Sequence, residues 1–218
     1  MYSKNTDIDA VLKKASKNLD LIEEEYKKSL MREEISFDLL VDIKDFFGNL
    51  RSALDYSANK IPTNDGYFPI CNSQKDFDYK TLGLSSNIKN ILSKWQPYND
   101  NPWIHNFSIL NNKSKHLTLI PQKRKEVMET RVSGDGGSVS WGNGVTFGQG
   151  VSIMGVPINP ATQLPVANNI VKTEKITWVH FTFDNSVSEE LHADISALPF
   201  IKECFEKITK IISEVETL

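Results

Sequence analysis

The sequence predicts an α+β fold: a helical bundle of four to five helices with an antiparallel β-meander inserted before the C-terminal helix. Apolar residues recur at helical spacing up to about residue 116, alternate with polar residues in several runs between residues 117 and 184, and return to helical spacing after residue 198. The last helix must bury its apolar stripe against the earlier helices. We therefore expect a single domain over residues 1–218, with a helical part at 1–116, a β-insertion at 117–184 and a C-terminal helix at 198–216.

Composition and charge limit the possible functions. The chain has 218 residues, enough for a substantial core, and its formal net charge of −3 argues against a basic field over the whole molecule. Its two cysteines, Cys71 and Cys204, form neither a disulfide framework nor a zinc motif, so we expect no metal site, and nothing in the sequence indicates a cofactor. The first residues lack the apolar core of a signal peptide, and no run approaches the roughly 18 apolar residues of a membrane span. We expect a cytoplasmic protein without membrane contact.

The long helices are predicted from their apolar stripes. The first runs over about residues 7–30, and the second begins after Ser36, a candidate N-cap, and ends near Lys60. Gly48 lies in the middle of the second helix, where we expect it to admit a close approach of another backbone segment. Cys204 falls on the apolar stripe of the last helix, which we expect to pack against the first two.

The connecting elements follow from capping and turn residues. In chain order they are a turn at Pro62 to Gly66, a loop at 76–79, a short helix capped by Ser85 or Ser86, a helix capped by Asp100 or Asn101 with Pro102 in its first turn, and strands at 127–132, 151–154 and 175–183. Asn143-Gly144 predicts a hairpin turn. Cys71 follows an extended Phe-Pro-Ile segment, and we expect it to be half-buried.

One candidate site lies in the second helix, where Arg51 and Asp55 stand four residues apart at the edge of the apolar stripe. At this spacing the two side chains can form an intrahelical ion pair. In one interpretation the pair is structural and ties the helix to a neighbour. In the other interpretation, Arg51 binds the phosphate or carboxylate of a ligand, and Asp55 orients Arg51 or a nearby histidine. The sequence leaves both interpretations open.

A second candidate lies on the helix that ends at His116. Asn112, Lys115 and His116 have the i, i+3, i+4 spacing that puts an amide, an ammonium and an imidazole on one helical face, and His105 lies further back on nearly the same line. His116 can act as an acid or base near neutral pH, and Lys115 can neutralise a phosphate. The structural alternative is a helix C-terminus whose cations favour the helix dipole.

Two other features carry less chemistry. Gly142, Gly144 and Gly148 do not have the spacing of a dinucleotide-binding fingerprint, and no helix pattern follows them. We interpret these glycines as turn residues of a small sheet. His180 and His192 lack the partner spacing of a metal site.

The two candidate segments together resemble a broad, largely uncharacterised family of bacterial proteins. In that family a helix reads Leu-Arg-Ser-Ala-Leu-Asp-His, and Phe-Pro-Ile, Gln-Pro and Leu-Asn-Asn-x-Asp-Lys-His segments follow it. The corresponding segments here are, in the same order, Leu50–Tyr56, Phe68–Ile70, Gln96-Pro97 and Leu110–His116. The chain departs from the family at Tyr56, where the family has histidine, and at Ser114, where it has aspartate.

More distantly, the Arg-Ser-Ala-Leu-Asp-His motif of that family resembles the signature of HEPN domains. In this signature an arginine is followed by a polar residue, three further residues and a histidine. These are helical bundles, often dimeric, and many are metal-independent ribonucleases. The resemblance implies a site between the second helix and the helix ending at His116, in which Arg51 and Lys115 hold a phosphate, His116 is the acid or base, and Asp55 orients it. Tyr56 replaces the signature histidine, and a tyrosine, with an ordinary pKa of about 10, is a poor base at neutral pH.

Two functions are therefore possible. The first is binding or metal-independent cleavage of RNA or a nucleotide, by a protein that forms a homodimer, with Asn112, His105 and Tyr56 as substrate-binding residues. The second is a non-catalytic interaction module, in which the same polar residues form a buried network and an exposed meander bearing Trp141 and Phe147 meets the partner.

Overall fold

The computed structural model describes residues 4–61, 66–166, 169–184, 191 and 195–218. This part of the chain has six α-helices and two small antiparallel sheets, and the C-terminal helix follows the strands, which confirms the predicted α+β class. The helices are α1 (Lys4–Arg32), α2 (Phe37–Ala58), α3 (Gln74–Lys80), α4 (Ser86–Ser93), α5 (Pro102–His116) and α6 (Ala197–Glu216). The strands are β1 (Gln122–Gly134), β2 (Gly137–Gly142), β3 (Ser152–Ile153), β4 (Val156–Asn159), β5 (Leu164–Pro165) and β6 (Lys172–Phe183).

The chain forms two compact units. The first comprises the described residues within 1–123 and 181–218 and contains all six helices; the second comprises those within 124–180. The single domain over residues 1–218 stays a prediction. Each unit has its own cluster of buried apolar side chains.

The core of the first unit is centred on the aromatic side chains of α2. α1 packs along α2, α5 packs against α2 and α6, and α6 packs against α1 and α2. The ring centroid of Phe47 lies 5.8 Å from that of Phe107 on α5 and 6.5 Å from that of Phe200 on α6. Burying one such side chain contributes about 1.5–3 kcal/mol relative to leaving it exposed. The return of α6 to the first two helices, with Cys204 in the core, is as the sequence predicts.

Capping side chains set the helix starts where the sequence places them. The Oγ of Ser36 accepts a hydrogen bond from the backbone N–H of Leu39 at 3.2 Å, and Ser85, one of two candidates, caps α4 in the same way. Asn101 is the N-cap residue of α5, with Pro102 in its first turn, but its side chain makes no capping hydrogen bond. The two serine contacts satisfy backbone donors that a helix N-terminus otherwise leaves unpaired.

Three local predictions are wrong. Residues 76–79 lie in α3 and not in a loop, because Ser73 caps the helix by accepting from the backbone N–H of Asp76 at 3.2 Å. Cys71 is fully buried and not half-buried. A Cβ at Gly48 would meet no atom within 4 Å, so no backbone segment approaches there, although glycine inside a helix costs about 1 kcal/mol relative to alanine.

The strands form two sheets, with the orders β2-β1-β6 and β3-β4-β5, and not one meander. The β1–β2 hairpin turns between the paired residues Gly134 and Gly137. Asn143-Gly144 does lie in a turn, where the N–H of Val145 donates to the carbonyl of Gly142 at 3.2 Å. The predicted hairpin at this turn is wrong, because the next strand begins only at Ser152.

The second unit has a small core of its own. Val132, Ile153 and Ile158 are buried together, and Trp141 and Phe147 pack against them with ring centroids 5.0 Å apart. Both aromatic side chains are partly accessible, and the partner surface predicted for them stays a prediction.

Some predictions concern residues outside the described part of the chain, namely Pro62, Asn64, Asp65 and His192. None of the described helices combines the length and the apolar character that a membrane span needs.

Candidate functional site

A cleft of about 460 Å³ opens between α2 and α5 in the first unit. Its lining residues are Arg51 and Asp55 from α2, Tyr67 to Ile70 from the extended segment that follows, Lys80 at the end of α3, and Ser108, Asn111, Asn112 and Lys115 from α5. The two candidate segments of the sequence therefore meet at one cleft. Their meeting brings together Arg51, Asp55, Asn112 and Lys115, four of the seven predicted site residues.

Arg51 and Asp55 form a two-pronged ion pair at the base of the cleft. The Nε of Arg51 donates to Asp55 Oδ2 at 3.1 Å, and its Nη2 lies 2.9 Å from Asp55 Oδ1. Nη2 also donates to the carbonyl of Phe68 at 3.2 Å, while the N–H of Phe68 donates to Asp55 Oδ1 at 3.1 Å. The pair thus holds both backbone polar groups of Phe68, which is the structural role that the sequence left open.

The electrostatic state of Asp55 reflects its position. Burial raises the pKa of this carboxyl above its ordinary value, and the Arg51 guanidinium, the Phe68 N–H and the Lys115 ammonium each oppose the rise. The positive charge of Lys115 on α5 therefore acts on the pKa of Asp55 on α2 from across the cleft.

The extended segment is held from its other side by Gln96. Its Oε1 accepts from the N–H of Cys71 at 2.9 Å, and its Nε2 donates to the carbonyl of Pro69 at 2.9 Å. Gln96 is fully buried. The arginine–aspartate pair and the glutamine together fix the backbone from Phe68 to Cys71, which forms one wall of the cleft.

The face of α5 that lines the cleft is displaced from the one that the sequence suggests. Each residue of an α-helix advances by about 100°, so the lining residues Ser108, Asn111, Asn112 and Lys115 span an arc of roughly 100°. His116 lies about 40° beyond Asn112 on that wheel, is the last residue of α5 and is exposed. It does not line the cleft.

His105 and Tyr56 also lie outside the cleft. His105 is in the first turn of α5, half-buried, and lines a shallow hollow with Asn72, Pro97, Tyr98 and Pro102. Tyr56 follows Asp55 on α2 and is 43 % exposed. The substrate-binding roles assigned to these two residues, and the catalytic role of His116, stay predictions.

Lys80, Tyr67, Ser108 and Asn111 line the cleft although none is a predicted site residue. Lys80 and Tyr67 reach it through the folding of α3 and the extended segment, so no helical spacing could indicate them. Ser108 and Asn111 could have been found from the α5 wheel, because Ser108 lies between Asn112 and Lys115 on it and Asn111 lies about 40° beyond Lys115.

The cleft carries an excess of positive charge. Three cationic side chains, Arg51, Lys80 and Lys115, line it together with one carboxylate, Asp55. The chain as a whole has a formal net charge of −3, so this charge is a local feature. In the described part of the chain, no group of three or more histidine, cysteine or acidic residues could hold a metal ion. No protein-family model, curated protein or solved structure matches the chain.

Proposed function

We propose that this chain is a HEPN-like helical bundle that binds the phosphate of RNA or of a nucleotide in the cleft between α2 and α5. The observation that carries the proposal is the cleft lining, in which Arg51, Lys80 and Lys115 accompany a single carboxylate in an acidic protein. Cationic side chains that converge on one concave surface attract an anion and form strong, charge-assisted hydrogen bonds with phosphate oxygens.

Arg51 can serve both the fold and the ligand. Its Nε and Nη2 hold Asp55 and Phe68, and among the described residues its Nη1 has no acceptor. A guanidinium fixed by two partners is preorganised, so little side-chain freedom is lost when its remaining N–H groups bind a phosphate. Lys115 supplies a point charge from the opposite wall.

The same cleft offers contacts for the rest of a nucleotide. Tyr67 lines it with 61 % of its surface exposed, and its ring can stack on a base. The amide of Asn112, exposed on α5, can donate to and accept from a base edge or a ribose hydroxyl. These contacts favour a nucleotide over inorganic phosphate.

The geometry supports binding better than cleavage. The ribonuclease activity that the HEPN resemblance implies needs His116 as the acid or base and Asp55 as its orienter. Asp55 is already engaged by Arg51 and the Phe68 N–H, and His116 lies outside the cleft. We therefore propose phosphate binding as the function of the cleft. We keep from the resemblance the proposal of a homodimer, and from the sequence, whose two cysteines make no disulfide framework, that of a cytoplasmic protein.

The alternative, a non-catalytic interaction module, is favoured by one observation. Arg51 and Asp55 clamp the backbone of Phe68, as a purely structural network would. In that case the clamp stabilises the fold, and Lys80 and Lys115 have no ligand. The two functions differ in what they predict for Lys115, which has no part in the clamp.

Lys115→Gln should weaken binding of uridine monophosphate about tenfold, because a hydrogen bond to a charged group contributes about 1.5 kcal/mol or more. Lys115 is exposed at the end of α5, so we expect the free energy of unfolding to change by less than about 0.5 kcal/mol. Isothermal titration calorimetry measures the affinity, and urea unfolding measures the stability.

Lys27→Gln is the matched control, because Lys27 is an exposed lysine on α1 that does not line the cleft. It should leave the affinity unchanged. Equal affinities in the wild-type protein and the Lys115 variant, or an equal loss in the control, would contradict the proposal and favour the interaction module.

A further inference from the structure

A second cleft, of about 340 Å³, shares part of its wall with the first. Its lining residues are Lys14 from α1, Lys44, Asp45, Gly48, Asn49 and Ser52 from α2, and Asn111 and Lys115 from α5. Asn111 and Lys115 line both clefts. Lys115 is therefore positioned at the boundary, where it can serve a ligand in either cleft or one that occupies both.

The second cleft has the same charge character as the first. Lys14, Lys44 and Lys115 line it with one carboxylate, Asp45. The Nζ of Lys44 lies 2.9 Å from Asp45 Oδ1, a pair whose two side chains are both well exposed. An exposed ion pair of this kind is weak, so a phosphate can compete for the lysine.

α2 connects the two clefts along one face. Lys44 and Arg51 are seven residues apart, which is about two helical turns and a rise of roughly 10 Å. Gly48 lies between them on the same face, and a Cβ there would meet no atom within 4 Å. Packing of the protein therefore does not require glycine at this position. Its missing side chain leaves the surface between the two clefts open.

We propose that the two clefts form one continuous track for single-stranded RNA, with Lys14 and Lys44 as a second phosphate subsite beside that of Arg51 and Lys115. This inference rests on the proposed function and names its substrate class as an oligonucleotide. The spacing of roughly 10 Å corresponds to about three steps of a stacked strand, which advances about 3.4 Å per nucleotide. A mononucleotide fills only the first cleft, whereas a strand of several nucleotides reaches both.

The test compares two probes, uridine monophosphate and a fluorescein-labelled oligouridylate of ten nucleotides. The double variant Lys14→Gln/Lys44→Gln should weaken oligouridylate binding at least about tenfold and leave the monophosphate affinity unchanged. The slope of the logarithm of affinity against the logarithm of salt concentration should become shallower by about 0.7, since each phosphate of a single strand that the protein neutralises contributes about 0.7 and one subsite is lost. Lys27→Gln, outside both clefts, is the control.

Gly48→Leu tests the continuity of the track. The Cβ of the new side chain meets no atom within 4 Å and a better helix former replaces glycine, so we expect the fold to be kept. We expect weaker oligouridylate binding and unchanged monophosphate binding, because the leucine stands between the subsites. A disturbance of the fold would weaken both probes.

The outcomes separate this inference from the proposed function. If oligouridylate binds no more tightly than the monophosphate and the Lys14 and Lys44 variants have no effect, the track is refuted, while a loss of monophosphate binding in Lys115→Gln still supports the first cleft. If Lys115→Gln affects neither probe, the proposed function and the track fail together.

Discussion

Among the described residues, Asp55 is the one acidic side chain that lines the cleft between α2 and α5. It accepts from Arg51 through both oxygens and from the N–H of Phe68, and its side chain is only 20 % exposed. These partners favour the ionised form, while burial opposes it and has the larger effect on the pKa. Asp55 is thus a structural residue whose protonation state is coupled to the cleft.

The raised pKa of Asp55 predicts a pH dependence of stability. Between the ordinary value of 3.8 and the raised value in the folded protein, the folded state holds a proton that the unfolded state has released. The free energy of unfolding should therefore fall as the pH rises through this window. Asp55→Asn cannot titrate, so wild-type stability minus variant stability should decrease with rising pH there.

Urea unfolding at a series of pH values from about 3 to 7 measures this difference, and the subtraction removes the contributions of the other carboxylates. A difference that increases with pH in the same window would mean that the ion pair with Arg51 outweighs burial and that the pKa is lowered.

The sequence predicts which side chains of one helix lie on the same face better than it predicts which side chains of different elements meet. Arg51 with Asp55, and Asn112 with Lys115, are predictable because helical spacing alone puts each pair on one face. Lys80 and Tyr67 are not, because tertiary packing brings them to the cleft. His116 shares the predicted face with Asn112 but does not line the cleft, and its catalytic role stays a prediction.

The extended segment from Phe68 to Cys71 shows how an element without regular secondary structure becomes a rigid wall. An isolated extended segment leaves its backbone N–H and carbonyl groups unpaired, and burying such groups is costly. Asp55 and Arg51 satisfy Phe68, and Gln96 satisfies Pro69 and Cys71. The Arg-x-x-x-Asp, Phe-Pro-Ile and Gln-Pro segments of the sequence thus meet in one hydrogen-bonded arrangement.

Gln96→Ala should destabilise the protein by about 2–4 kcal/mol, because it removes the buried hydrogen bonds of Gln96 to the N–H of Cys71 and to the carbonyl of Pro69. Urea unfolding measures the total loss. Amide hydrogen exchange at Cys71 should become faster than the total loss alone explains, because the segment can then open locally.

Gln74→Ala is the control for this variant, since Gln74 is exposed on α3 and its side-chain hydrogen bonds, to Asp78 and Tyr98, do not involve the segment from Phe68 to Cys71. It should change stability by less than about 0.5 kcal/mol. Similar effects of the two substitutions would show that the Gln96 bonds do not hold the segment.

Over the whole molecule, the two compact units differ in how well the sequence predicts them. The helices of the first unit have long apolar stripes, so α1, α2, α5 and α6 are predictable within a few residues. The strands of the second unit are paired in two sheets, and the position of a hairpin depends on which strands pair. The turn at Asn143-Gly144 shows the limit, because a correct turn signal does not identify the strands that it joins.

The cleft belongs entirely to the first unit, so its description depends on the helices and the extended segment alone. All three cations of the first subsite, and both additional lysines of the second, come from α1, α2, α5 and the end of α3. The central claim about the molecule is therefore that these elements build a phosphate-binding surface in an acidic protein.

A crystal structure of the protein with a bound trinucleotide of uridine shows whether they do. We expect one phosphate within hydrogen-bonding distance of Arg51 Nη1 and Lys115 Nζ, with the Arg51–Asp55–Phe68 contacts kept. A trinucleotide bound elsewhere on the molecule, with the cleft between α2 and α5 unoccupied, would contradict it.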